Sequence, residues 1–284
     1  MKLYRSLPRR SLLALGLLAS CKRTPTHARV DPALAPLIPP DSTSLAGIRL
    51  DLLKKAPLWQ SLGQDLLANF AAQSGMKPAQ ELYELVYCFG GRHRLTLLRG
   101  KWTNGGIANS GLEPELNIPG GTKLPYKGFV FHGREDFAVV FFNSSVALAG
   151  RAAALRDAID ARNAQRPPAP ELPRRVSLLP HAAHIYMVSS QPRLPEKGLG
   201  GLKSVPFALE SLAAWATISD AIEYRAEANL PSAASASEAA ASLRGLLSLL
   251  PKKPDVQLTT QGQQLVAQGK LSPAELREAL SWAE

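Results

Sequence analysis

His181 and His184, in His-Ala-Ala-His, are the one close histidine pair of the chain, and on a helix this spacing would turn both imidazoles toward one metal ion. The pair instead follows Pro180 at the entry to a strand-like run, where alternate side chains face opposite ways. No acid or cysteine stands close by in sequence to complete a ligand set, so no metal site is expected. Ser74 and Lys77 have the serine–lysine spacing of acyl-transfer chemistry, which needs the serine at a helix start with the lysine one turn on. Gly75 and Pro78 put this serine at a helix end, which removes the reading. Glu113 and Glu115 straddle Pro114 and would make a carboxylate pair, but in a turn-rich loop such groups are ordinarily solvated. Ser110 lacks the preceding glycine of a nucleophile elbow. The glycine-rich stretch at 198–204 has neither the phosphate-loop spacing nor the dinucleotide fingerprint. Neither a catalytic set nor a cofactor emerges.

Binding residues are a separate question. Trp59 and Trp215 fall inside apolar elements and read as core. Trp102, in Arg-Gly-Lys-Trp-Thr-Asn-Gly-Gly, opens a turn-rich excursion over residues 101–125, and an exposed tryptophan often marks a contact surface. Lys101 and Arg99 beside it would make that surface basic.

The elements that must position these residues follow from hydrophobic period. Apolar residues around 45–50 read as a strand, and Leu58, Leu62, Leu66 and Phe70 at fourfold spacing give an amphipathic helix stopped by Gly75. The segments 81–89 and 92–100, split by Gly90-Gly91, form either a hairpin or a helix end followed by a strand. Residues 126–150 read as an antiparallel meander, and a helix follows from about 151 to 164. Four prolines in 165–175 then mark a break between two halves. In the second half, Ile222, Tyr224, Ala226 and Ala228 alternate with Glu223, Arg225 and Glu227, one face buried and one wet. Ser235 and Glu238 suggest a capping box for an alanine-rich helix, 256–271 a hairpin turning at Gln261-Gly262, and Ser272-Pro273 a final helix start. Residues 36–50 lie against 177–190 in pattern, so the halves read as related copies. The predicted class is α+β: antiparallel sheets with helices packed on one face, a ferredoxin-like unit being one such arrangement. The predicted boundaries are a leader at 1–20, a tether at 21–40, a first half at 41–165, a proline-rich linker at 166–176 and a second half at 177–284.

The leader is the most informative stretch. Lys2, Arg5, Arg9 and Arg10 precede a short apolar run, Leu12 to Leu18, too short to span a bilayer, and Ala19-Ser20 put small residues before Cys21. Leu18-Ala19-Ser20-Cys21 resembles the lipobox of bacterial lipoproteins. That resemblance implies cleavage before Cys21, acylation of its thiol with a palmitate-like chain, and a membrane anchor worth roughly 0.8 kcal/mol per buried methylene. Lys22 in place of an aspartate then favours the outer membrane over the inner. Arg9 and Arg10 fit either a twin-arginine or an ordinary export signal. Cys88, the other cysteine, has no partner for an intramolecular disulfide and reads as a small buried residue.

The formal charge is +10, of which the leader's four basic residues account for four, leaving about +6. This excess is spread along the chain with no basic run interleaved with aromatics, which argues against nucleic acid. It suits an anionic envelope polymer, an envelope protein or a membrane surface. Residues 37–59 and the alanine-rich helix after 228 resemble uncharacterised bacterial envelope proteins of the kind found in Acidobacteria. The resemblance implies an envelope location and carries no catalytic motif. The expected function is a lipid-anchored, non-catalytic binding or scaffolding module facing the periplasm. The rivals are a hydrolase acting on envelope polymers and a carrier of an apolar ligand, which a polar cleft or an apolar cavity would respectively favour.

Overall fold

Leu45 and Ile48, on one short strand, face opposite ways, and each lies in a different hydrophobic core. In the computed structural model, which describes residues 27–102, 116, 118–166, 171–191, 208–248 and 255–275, the described strands make one antiparallel sheet of twelve. The first seven are β1 (Ser44–Arg49), β2 (Leu82–Phe89), β3 (Leu95–Gly100), β4 (Thr122–Tyr126), β5 (Phe129–Gly133), β6 (Ala138–Asn143) and β7 (Val146–Gly150). The others are β8 (Ile185–Ser189), β9 (Ser211–Ile218), β10 (Ile222–Asn229), β11 (Val256–Gln261) and β12 (Gln264–Leu271). The helices are α1 (Leu50–Leu53), α2 (Trp59–Ser74), α3 (Pro78–Glu81), α4 (Ala152–Asn163), α5 (Glu171–Val176) and α6 (Ala233–Ser248), with a 3-10 turn at Ala35–Leu37.

The α+β class holds, with antiparallel pairing throughout the sheet. The helices, however, cover both faces of it and not one. Leu45, Val86, Leu97, Leu148 and Tyr186 pack under the segment before β1, α4 and α5, whereas Leu98, Val139 and Ala147 pack under α1 and α2. The reason is written in β3, β6 and β7, whose apolar residues occupy both parities, as a sheet buried on two sides requires. A third cluster joins α6 to Ala228 and Leu265.

The strand order is β11-β12-β10-β9-β8-β1-β2-β3-β7-β6-β5-β4. Outward from the central β1–β8 pair, each side runs through three successive strands and then its last two in reverse, with the β4–β5 hairpin added to the first side. The sheet is thus continuous across both halves. A ferredoxin-like unit would set helix-linked strands parallel, but β1 and β2, joined through α1, α2 and α3, are antiparallel neighbours.

Three local expectations are corrected. Residues 27–40, expected in the tether, belong to the fold: Ala28, Val30, Leu34 and Ile38 are buried, and Ala28 N–H donates to Leu179 O. The expected linker contains α5, which buries Leu172 and Val176. The cap of α6 is Ser232 and not Ser235, since the Ser235 N–H donates to Ser232 Oγ at 3.1 Å. The edge strand β4 lay hidden in the turn-rich excursion because Pro125 interrupts its pattern, as an edge position allows. Other expectations stand: Gly75 ends α2 in the left-handed region at φ 66°, and Ser272 and Glu275 form a reciprocal cap.

Candidate functional site

Leu67 and Phe70 of α2, Ile48 of β1 and Leu85 of β2 line a half-open cavity of about 720 Å³ between the helix and the sheet. Its lining is mixed: α2 turns Leu67 and Phe70 over Ile48 and Leu85 of the sheet, while Asn69, Gln73 and Thr96 add polar groups beside them. Its mouth is basic. Arg92 and Arg94 come from the β2–β3 turn and Arg151 from the residue before α4. The turn is held from below: Gly90 takes φ +84°, and the Asp41 carboxylate accepts the Arg92 N–H at 2.7 Å. Gly91 is needed there because a Cβ would stand 2.7 Å from the Asp41 carbonyl oxygen.

These three guanidinium groups have no ion pair or hydrogen bond of their own among the described residues, in contrast to Arg99, Arg134, Arg156, Arg175 and Arg225. The acid in the lining, Asp136, is taken by Arg134 at 2.9 Å, which lowers its carboxyl from the usual range. His93 at the same mouth lies 3.0 Å from Asp157. An apolar patch of Ile48, Leu67, Phe70 and Leu85 with unsatisfied positive charge beside it suits a ligand with a short hydrocarbon body and an anionic head.

A second cluster lies in the core on the opposite face. Glu84 of β2 is 7 % exposed; its Oε2 accepts the Asp31 N–H at 3.1 Å and its Oε1 the Tyr186 hydroxyl at 3.3 Å. The Asp31 carboxylate meets Arg99 Nε at 3.2 Å, and Arg49, opposite Glu84 in register, donates to the His181 carbonyl at 2.7 Å. Burial pushes the Glu84 carboxyl up to about 7, opposed by the hydrogen bond from the Asp31 N–H, by Arg49 and by Tyr186, while the Asp31 charge adds to the shift. Tyr186 reaches Glu84 by lying across Gly47, where a Cβ would stand 2.1 Å from the ring. The Tyr186 phenol is raised by burial first and by Glu84 next. This cluster fastens the segment before β1 to the sheet.

The sequence-predicted surface is not assembled. Trp102 is 4 % exposed and packs edge-on against Phe141 at 5.3 Å, in the core with Leu98. Arg99 turns to Asp31 on the other face, and Lys101 is exposed alone of the three. The signal was the parity of β3: Trp102 continues the positions of Leu98 and Gly100, hence the core side. His184 accepts the Ile218 N–H on Nδ1 at 2.8 Å, and burial lowers its pKa. Ser74 Oγ donates to the Phe70 carbonyl at 2.6 Å, as a helix-end serine does. Among the described residues no group of three His, Cys, Asp or Glu could hold a metal. Cys88 is fully buried, which raises its thiol pKa. Cys21, Glu113 and Glu115 lie outside the described residues. The basic mouth escaped the sequence reading because Arg151 is far from Arg92 and Arg94 until β3 pairs with β7.

No family model and no curated protein matches the chain. In fold it is similar to TP0453. Crystal form III of that protein aligns at TM-score 0.59 and 11 % identity over 89 % of this chain and 98 % of the other. Form I gives 0.59 at 12 % identity over 89 % and 97 %, and form IV gives 0.56 at 10 % over 87 % and 96 %. At such identity TP0453 shares an architecture with this chain, over nearly its whole length. No helix among the described residues is long and apolar enough to cross a membrane.

Proposed function

We propose that the chain is a lipid-anchored, non-catalytic binding protein of the bacterial envelope, attached through Cys21 and facing the periplasm, outer membrane before inner. Its ligand is an anionic amphiphile held in the cavity under α2. The observation that carries the ligand is the set of three arginines, unpaired among the described residues, beside the apolar side chains of Ile48, Leu67, Phe70 and Leu85. A hydrocarbon chain placed there leaves water at about 0.8 kcal/mol per methylene, and its head gains charge-assisted hydrogen bonds from groups that need break no existing pair. The cavity size falls within the ordinary range for small-molecule sites. A hydrolase reading finds less support, since the lining acid is engaged by Arg134.

Two measurements test the two parts separately. Titration with a fluorescent fatty acid, parinaric acid, should saturate at one equivalent, and Arg94→Glu combined with Arg151→Glu should weaken it roughly tenfold to a hundredfold, about 1–3 kcal/mol. Unchanged affinity would remove the ligand from this cavity. Palmitate labelling in a bacterial host should be present for the native chain and lost in Cys21→Ser; equal labelling would remove the anchor.

A further inference from the structure

The described part of the chain begins close to the residue that the lipid would hold. His27 forms a bridge with Pro180, and the Ala28 N–H donates to the Leu179 carbonyl at 2.9 Å, so the chain is tied to the domain from residue 27 onward. Between Cys21 and His27 lie six steps of chain, at most about 20 Å even when fully extended. An acylated Cys21 would therefore hold the His27–Pro180 corner of the domain against the bilayer, within a fraction of the domain's own width.

That corner carries the most exposed large hydrophobic side chain among the described residues. Leu178, two residues before Pro180, is 72 % exposed, while its neighbours Leu179 and Val176 are buried. Arg29, two residues after His27, is exposed, and so is Arg174, one turn before Leu178. Neither arginine has an ion-pair partner among the described residues, and the acid close by, Glu171, is bound by Arg175 at 2.7 Å. A protruding leucine flanked by free arginines, at the point where a short tether leaves, matches a surface of anionic phospholipid.

We infer that the corner formed by Arg29, Arg174 and Leu178 is a membrane-contact surface: Leu178 enters the acyl boundary of an anionic leaflet and the two arginines meet its headgroups. The inference rests on the Cys21 anchor for its orientation but not for its chemistry. With the sheet standing on this corner, the lipid fixes the angle of the domain as well as its distance.

The test uses the chain from residue 21 carrying Cys21→Ser, so that no acyl group contributes, with vesicles of phosphatidylcholine alone or with one third phosphatidylglycerol. Co-sedimentation is expected with the anionic vesicles only, falling roughly tenfold in Leu178→Ser and in the Arg29→Glu, Arg174→Glu double variant, and falling steeply with added salt. A nitroxide on Leu178→Cys should collide more often with dissolved oxygen on binding, since oxygen concentrates among acyl chains, while one on the exposed Ser232→Cys should not change. Equal sedimentation of the native side chain and Leu178→Ser overturns the surface. So does a dimer in vesicle-free buffer that Leu178→Ser abolishes, since Leu178 would then face a second copy. Palmitate labelling reports on the anchor independently, so either idea can fail without the other.

Discussion

Glu84→Gln should stabilise the domain at pH 8 and bring little change, or a slight loss, at pH 4. The Glu84 carboxyl is raised from 4.5 to about 7, chiefly by burial, so the folded state holds its proton more tightly than the unfolded chain does. The sign follows from linkage: its contribution is complete below the unfolded value and is lost as pH rises through about 7. At about 1.4 kcal/mol per pH unit the loss is on the order of 3 kcal/mol. Glutamine removes that titration and keeps an acceptor for the Asp31 N–H or the Tyr186 hydroxyl, at a cost of about 1 kcal/mol for the bond it cannot make. The net gain at pH 8 is therefore about 2 kcal/mol. Urea unfolding at pH 4.5 and at pH 8 reads it directly: the native protein should weaken between the two, and the variant should show a smaller slope. A native protein that gains stability across that interval through this site would refute the assignment of a buried, reluctant carboxylate.

Gly47→Ala should be among the most damaging single substitutions in the molecule. A methyl group there would lie 2.1 Å from Cζ and 2.4 Å from the hydroxyl oxygen of Tyr186, a ring that is 1 % exposed. The ring cannot retreat without leaving Glu84, and β8 cannot retreat without breaking its register with β1, Gly47 opposite Tyr186. Overpacking of this kind costs about 1–3 kcal/mol, and the lost hydroxyl bond to a buried carboxylate adds about 1–2 kcal/mol. Thermal unfolding should show the loss, and pairing the substitution with Tyr186→Leu, which removes the colliding ring, should recover part of it. Damage in the pair equal to the sum of the two single changes would mean that the ring contact is not the cause.

How far the sequence could be read depended on whether a feature was local. The helix stop at Gly75, the hairpin at Gln261-Gly262 and the cap at Ser272 are each decided by three or four neighbouring residues, and the structure has all three. The two-sided burial of the sheet was legible in principle, since Leu97 and Leu98 are adjacent and both apolar, but a single period does not say how many layers a strand will meet. Trp102 misled because a tryptophan beside glycines looks like a loop residue until β3 is known to end at Gly100. The arginine mouth and the Glu84 cluster have no local signature. Arg94 and Arg151 meet only through the pairing of Leu95 with Gly150, and Asp31 reaches Glu84 across 53 residues of chain.

The segment before β1 also decides how the protein bears load. On the proposed anchor, a pull on Cys21 would enter at His27, pass through its bridge to Pro180 in the second half, and reach Asp31, whose backbone and carboxylate grip Glu84 and Arg99 in the first half. Tension from a drifting or sheared membrane would then be divided between both sides of the sheet at their common seam, and no edge strand would be peeled away first.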